Sequence, residues 1–545
     1  MAKSKATVRY GKRSTRTKAE RMFAELPQSP VRKTPVVPSD DDAVDSITKK
    51  LLEVHLEHEG EPRRKSPRKS IKYVRDQDAS TRARDNLDHI ENASPGISSD
   101  QHQDEPSSDA EAEIEAHDEG SLGEHIGGTW LRTLSWDDVC PPGDCIDKIA
   151  EASYAEVYRV TNERGTSVIK VIRLPSPIKP QTKTQIRSRL VDEEPHSEED
   201  VNGELQISEW LADIPGFVVY KERYLVKGKT SRALLETHQA FQRRLKRRDA
   251  GRAQFYPSPS RYLDDTKFLV VELGDAGVAL EDWDLTTDSQ LWDIFFLEAI
   301  ALARAEEVAM FEHRDLHEGN LCIKQVKAPR EKRSGQKGFF GYSGLDITIL
   351  DYGLSRAEDV SIDFSKPVAY DLERDLSLFT STHAPQCNVY RQMRSFMLRA
   401  DRKCLPPEAH KTPYARGVDG PLCWEAYAPY TNVLWLAYLY TYLVSHFRGP
   451  AKQLSRFQRQ TADMWAYLDP DADESVPCFG CAGDMVCFAV EAGWIREEQL
   501  AGANASLLER EDSIIVSRDG GGDGDGALRR SSRRSKAFES AVCVE

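Results

Sequence analysis

The chain has 545 residues, 30% of them charged and only 39% hydrophobic, with a formal net charge of −15. At a typical ~150 residues per domain this length suggests three or four domains, but so polar a chain cannot be packed core throughout, and part of it is expected to be unfolded. Its longest mainly apolar run, Val433 to Val444, is twelve residues, short of the ~20 that a membrane-spanning helix needs. Met1 to Arg21 is basic and polar, unlike a signal peptide, and ten cysteines over this length make no dense disulfide framework. A reducing cytosolic or nuclear setting is therefore expected, and a secreted, membrane or fibrous protein is not.

The first 38 residues carry ten Lys or Arg against two Glu, whereas Glu91 to Glu124 holds eleven acids and no Lys or Arg. Neither block has an amphipathic period, so residues 1–125 are expected to be a disordered tail, with one transient helical patch at Asp45–His58. Ser29, Thr34, Ser66 and Ser94, each followed by Pro, are candidates for proline-directed phosphorylation. Aromatic and apolar periodicity returns over residues 126–514. Val168–Ile172 and Phe268–Leu273 have the length and composition of strands. Leu291–Phe311 is a long apolar helical pattern, and Tyr430–His446 reads as a buried helix. Strands early and helices late predict an α+β fold: a small β-rich lobe at about 126–273, then a larger α-rich lobe at about 280–514. Pro175–Glu199, Lys227–Tyr262 and Lys327–Ser343 read as polar surface insertions. The second includes Arg243, Arg244, Lys246, Arg247 and Arg248, which read as a solvated charged helix. Residues 515–545, rich in Gly and Asp and then in Arg, are expected to be a flexible tail. Basic clusters near both termini suit nuclear import or weak, salt-sensitive DNA contact.

The strongest chemical signal is His313-Arg314-Asp315-Leu316-His317-Glu318-Gly319-Asn320, which fits H-R-D-L-x-x-x-N at every fixed position. Chance would produce roughly two such matches per ten thousand chains of this length. Asp315 can accept the proton of an attacking hydroxyl, and Asn320 can hold a Mg²⁺ that bridges nucleotide phosphates. Farther on, the apolar run Ile347 to Leu350 delivers Asp351 to a turn with Gly353 two positions later, the pattern of a metal-binding D-F-G element with Tyr352 for Phe. Upstream, Lys170 sits within Val168-Ile169-Lys170-Val171-Ile172. A lysine there calls for phosphate oxygens and a carboxylate, or an edge position in contact with water. Glu204 is the candidate carboxylate and Glu209 its competitor, which helix phase does not separate. Ala150, Ala152, Ala155 and Val157 have the spacing of G-x-G-x-x-G-x-V, yet all three glycines are alanines. The added methyls and restricted φ are expected to weaken the grip on phosphates.

Together these residues resemble a eukaryotic protein kinase domain and, more narrowly, the haspin family. The particular resemblances are His317 two positions after Asp315, the run Asp351-Tyr352-Gly353-Leu354-Ser355-Arg356, and the absence of A-P-E after it. Leu378-Phe379-Thr380, Val389-Tyr390-Arg391 and Pro429 to Leu436 also look like that family's C-lobe sequences. The resemblance implies two lobes, a small antiparallel sheet plus helix and a larger α-rich lobe, with ATP and Mg²⁺ as cofactors. Lys170 would hold the α- and β-phosphates and pair with Glu204. Asp315 would be the base, with His317 in the catalytic loop, and Asn320 and Asp351 the metal ligands. Glu272, Leu273, Gly274 and Asp275 would form the adenine hinge, with Val157 and Val168 beneath the ring. The resemblance further implies a monomeric nuclear, chromosome-associated kinase acting on a threonine of the histone three tail, without activation-loop phosphorylation. Asp371, Glu373 and Asp375 would receive that basic tail, though Ser377 stands where another acid is expected.

Two other functions stay open at this level: a degenerate kinase fold serving as a chromatin scaffold, favoured by the loop alanines, and a small-molecule phosphotransferase. Cys478, Cys481 and Cys487 resemble the start of a zinc site that lacks a fourth ligand, and read as buried free thiols.

Overall fold

The structure, a computed structural model, describes residues 124–126, 129–502 and 512–515, with breaks at 153, 188–189, 191, 197, 249–253, 334, 363, 419 and 474. The expected tails at 1–125 and 515–545 lie outside the described residues except at their inner ends. So do the helical patch at Asp45–His58, the proline-directed sites and both terminal basic clusters.

Side chains alternating with a period of two build the N-terminal lobe. After a hairpin of β1 (Glu124–Ile126) and β2 (Thr129–Leu131) come β3 (Thr133–Leu134), β4 (Cys145–Glu151), β5 (Glu156–Asn162), β6 (Gly165–Arg173), β7 (Tyr220–Lys227) and β8 (Lys267–Gly274). The last six form one sheet in the order β3-β7-β8-β6-β5-β4. Its pairings are antiparallel except at the edge, where the two residues of β3 run parallel to β7, a correction to the expected all-antiparallel sheet. One face of the sheet packs Tyr158, Ile169, Val171, Tyr224 and Phe268 around Trp136 of α1 (Trp136–Val139). The other packs Ile172, Leu269 and Val271 against Val201 and Leu205 of α3 (Glu198–Leu211), which follows the short α2 (Lys183–Arg187).

The polar stretch 227–262 contains α4 (Arg232–Arg248). Its buried residues Leu234, Thr237, His238, Phe241 and Gln242 recur at helical spacing, while Arg243, Arg244 and Lys246 to Arg248 are exposed. The solvated charged face is thus the outer side of an amphipathic helix laid along β4.

The C-terminal lobe is organised on α5 (Asp288–Ala309). It opens with a capping box between Thr287 and Gln290 and closes on Met310, whose φ of 44° ends the helix in the left-handed region. Around it lie α6 (Ser377–Thr380), α7 (Gln386–Arg399), α8 (Tyr430–His446), α9 (Ala451–Gln460), α10 (Ala462–Leu468), α11 (Ala482–Glu491) and α12 (Glu497–Gly502). Both α5 and α8 bury residues around much of their circumference, as a helix within a core does. A small sheet in the order β11-β10-β9, of β9 (Val278–Ala279), β10 (Leu321–Gln325) and β11 (Leu345–Ile349), flanks the segment carrying Asp315 and Asn320 and presents Asp351 just past its last strand. No helix among the described residues is long and apolar enough to cross a membrane.

Candidate active site

Strand register sorts the hinge side of the site. Val168 pairs with Leu273, Val157 with Lys170 and Ile169 with Glu272. Because successive residues point to opposite faces, Val157, Val168, Lys170 and Leu273 share one face, and Glu272 belongs to the other. The Glu272 side chain is fully buried there, accepting from Ser167 Oγ at 2.8 Å and from Tyr224 OH at 2.9 Å. The expectation that Glu272 is a cofactor residue is corrected to this extent: its carboxylate faces away from the cleft. Period-two alternation in Val270-Val271-Glu272-Leu273 already carried that signal. Gly274 donates its backbone N–H to Val219 O at 2.8 Å, and Asp275 pairs with Arg159 at 3.0 Å.

On the cleft face Lys170 Nζ lies 2.5 Å from Glu204 Oε1, each side chain 12% exposed. Glu209 instead lies 3.5 Å from Arg223, which separates the two candidates. The Lys170 ammonium also sits 4.6 Å from the centre of the Tyr154 ring and 3.3 Å from its hydroxyl.

Tyr154 belongs to the alanine-bearing loop. Among that loop's described residues no φ is positive, so Ala150, Ala152 and Ala155 occupy backbone that any residue adopts. Ala152 N–H donates to Ala155 O at 2.8 Å, closing the turn, and Ala155 is wholly buried, its methyl part of the core under the sheet. The expected weakening from lost φ freedom therefore does not apply to this conformation. Outside the hairpin a buried polar network holds it down. Lys148 Nζ meets Glu151 at 2.8 Å and also Glu156, and lies 3.2 Å from His238 Nδ1, while Gln242 donates to Glu151 at 2.6 Å.

The segment His313–Asn320 is a tightly bonded loop. His313 Nε2 lies 3.0 Å from the Leu350 carbonyl, which can only accept, and the Asp315 N–H donates to His313 Nδ1 at 3.2 Å. The ring is therefore neutral with its proton on Nε2, and burial holds its pKa down to about 4. Asp315 is buried and accepts from the Tyr390 hydroxyl. Burial and the Asp315 charge push that hydroxyl's pKa well above its ordinary value. His317 Nδ1 accepts from Gly319 N–H at 3.0 Å, bracing the turn, and Asn320 Nδ2 donates to the Asp315 carbonyl at 2.8 Å. Arg314, at φ 65°, is buried with its guanidinium 3.1 Å from the equally buried Glu312.

Leu350 N–H donates to Asn320 O at 2.8 Å, so the loop carrying Asn320 and the strand end carrying Asp351 are tied together. Asp351, at φ 62°, holds a strained left-handed backbone. A Cβ added at Gly353 would lie 3.3 Å from Asp351 Oδ1 and 3.7 Å from Glu204 Oε2, so both carboxylates border one glycine. Asp351 and the Asn320 side-chain oxygen are hard donors that suit Mg²⁺, which takes few protein ligands and completes its shell with water and phosphate oxygens. Among the described residues no cluster of three or more His, Cys, Asp or Glu could hold a metal by itself. Tyr352 stands in for Phe with a use for its hydroxyl, which donates to Ile349 O at 3.0 Å and accepts from Val218 N–H at 3.3 Å.

Two other expectations change. Glu373 is buried, holds Arg394 through two 2.8 Å bonds and accepts from the Tyr414 N–H, so it is a structural acid rather than a receptor for a basic tail. Cys478 and Cys487 are exposed rather than buried, while burial pushes the Cys481 thiol up to about 11. Sequence reading missed Tyr390 as the partner of Asp315, Tyr154 as the cover of Lys170, and Asn432. The last accepts from His313 N–H at 3.0 Å and donates to Phe311 O at 2.9 Å.

A small twisted sheet over a helical lobe, with a lysine–glutamate pair facing a bonded Asp/Asn loop and a strained Asp, defines a two-lobed protein-kinase-like fold. The family model for the haspin like kinase domain matches residues 126–478, more than half the chain, and the chain belongs to this family. Among relatives, it is 25% identical over 354 residues to the serine/threonine-protein kinase haspin of Bos taurus, covering 63% of this chain and 39% of the relative. It is 27% identical to haspin of Mus musculus, covering 64% and 42%. With a haspin homolog of Schizosaccharomyces pombe it shares 28% identity, covering 54% of each. The chain thus spans about half or less of the length of these relatives.

Proposed function

We propose that this protein is an ATP-dependent serine/threonine kinase of haspin type. The Lys170–Glu204 ion pair at 2.5 Å carries the reading, because a partly buried lysine so held is pre-positioned for phosphate oxygens. In this reading Asp315, fixed by Tyr390, accepts the proton of the acceptor hydroxyl as its oxygen bonds the γ-phosphorus and the bond from that phosphorus to the β–γ bridging oxygen breaks, releasing ADP. Asn320 and Asp351 would hold Mg²⁺, which supplies neutralisation of phosphate charge when bound. Arg314 already has Glu312 as its counter-ion, so no phosphorylated residue is needed to order the loop. Tyr154 has to leave Lys170 before phosphates enter, which makes loop movement part of binding.

The acceptor in this proposal is a threonine or serine in a basic peptide, with the histone three tail in nuclear chromatin as the leading case. Support for histone comes from the family, whereas the loss of Glu373 from the acidic surface counts against it. The covered lysine favours a second reading, a degenerate kinase fold serving as a chromatin scaffold with weak or no activity.

The test incubates the full chain and its Asp315→Asn variant with labelled ATP and histone-tail peptides. The variant should transfer at least about 100-fold more slowly, the usual scale for a lost general base. Equal transfer by both proteins sinks the kinase claim, and nucleotide binding without transfer by the parent selects the scaffold. Transfer to other basic peptides but not to histone removes that substrate.

A further inference from the structure

The described residues 512–515 lie beyond the stretch matched by the family, yet they complete the core of the N-terminal lobe. Ile514 and Ile515 are 3% and 9% exposed, packed with Trp136, Tyr158, Val171, Tyr224 and Phe268. Ser513 Oγ donates to Glu272 Oε2 at 2.6 Å, and Ile514 N–H donates to Glu272 Oε1 at 2.9 Å. The segment is also held by its carbonyls: Asn162 Nδ2 donates to Ile514 O at 3.1 Å, and Arg164 Nη2 to Ile515 O at 2.8 Å.

We propose that residues 513–515 form a strap that positions the nucleotide hinge through Glu272. The physical case rests on what this carboxylate faces. Of the four groups donating to it among the described residues, two belong to the strap and two are the neutral hydroxyls of Ser167 and Tyr224. Losing the strap leaves a fully buried carboxylate short of donors, and such a group moves or draws in water. Glu272 is bonded directly to Leu273, which lies on the cleft face, so its movement distorts the floor on which a nucleotide rests. The two isoleucines supply the apolar anchor and the Ser513 hydroxyl and Ile514 amide supply the polar address.

The test uses the full chain and an Ile514→Asp variant. Binding of a fluorescent ADP analogue is measured with and without a synthetic peptide spanning residues 510–517. The variant should bind the analogue about tenfold more weakly, a shift of about 1.4 kcal/mol. The wild-type peptide should restore affinity saturably, and a peptide carrying the same Asp should not. Affinity within twofold of the parent, or equal rescue by both peptides, overturns the proposal. Should Ile514→Asp fail to fold, Ser513→Ala removes one donor with less disturbance and is expected to weaken binding severalfold; unchanged affinity there also overturns it. The nucleotide measurements rest on the kinase reading. Hydrogen exchange does not: the Ile514 amide and the β6 and β8 amides should be protected in the parent and open faster in the variant. A fast-exchanging Ile514 amide in the parent refutes the strap even if no nucleotide binds.

Discussion

Tyr352 illustrates how one atom matters at the residue scale. Its hydroxyl, buried between Ile349 O and Val218 N–H, links the strand end that bears Asp351 to Val218 in the turn between α3 and β7. Tyr352→Phe deletes that oxygen without changing the ring, and because Val218 N–H also donates to Ile349 O at 3.2 Å neither group is left unpaired, so the cost is that of a net hydrogen bond, about 0.5–1.5 kcal/mol. Chemical denaturation should show the midpoint falling accordingly, and an unchanged midpoint would mean the bonds contribute nothing net. The residues legible in advance were those whose chemistry demands a type at a short spacing, such as Asp315 with Asn320 five positions on. Tyr390 was not legible as their companion, since it meets Asp315 across 75 residues of chain. Glu204 and Glu209 could be separated only by which one the packed helix turns toward Lys170.

At the scale of elements, α5 contains a local conflict. Glu298 is fully buried in its middle, with neither carboxyl oxygen bonded among the described residues, and burial drives its pKa well above the ordinary carboxylate range. The group is therefore carried as a neutral acid in an apolar setting, which disfavours folding. Glu298→Met keeps comparable volume and removes the polar oxygens. The variant is expected to be more stable by about 1–3 kcal/mol, read as a higher urea midpoint at unchanged slope. A lower midpoint would point to a partner for Glu298 that the fold does not show. The β4–β5 hairpin has the opposite character. Its alanines need no glycine freedom because no φ among the loop's described residues is positive, and His238 and Gln242 of α4 hold the hairpin from outside through Lys148 and Glu151 of β4. An insertion that reads in sequence as a mere charged helix is a structural support of the β4–β5 hairpin.

For the whole molecule, the informative group is Glu306, where α5, α8 and α11 converge. It accepts from Asn432 Nδ2 at 3.0 Å, Ala482 N–H at 3.1 Å and Gly483 N–H at 3.3 Å, while burial raises its pKa to about 7. The sign follows from linkage. A carboxyl titrating near 4.5 when unfolded and near 7 when folded binds more protons in the folded state between those values. Its contribution is full below about pH 4.5 and is lost as pH rises toward 7. Glu306→Gln retains an acceptor but no longer titrates. Comparing Tm at pH 5 and pH 8, the parent should lose more than the Gln variant, and equal losses would assign the pH dependence elsewhere. Since Asn432 also holds His313 N–H, this junction connects the stability of the α-rich lobe to the His313–Asn320 loop.

By itself the sequence determined that a strand-rich part precedes a helix-rich one, that Tyr430–His446 is a helix, and that Lys170, Asp315, Asn320 and Asp351 are the residues to test. These follow from periodicity and from chemistry confined to short stretches of chain. Only the tertiary structure decided that Glu272 turns from the cleft, that Glu373 is spent on Arg394, and that residues 512–515 close the far face of the sheet. Each depends on which face of an element is buried and on partners distant in sequence, which local spacing does not encode. The described residues hold a two-lobed kinase-like fold, and its core draws on residues beyond the stretch that its family shares.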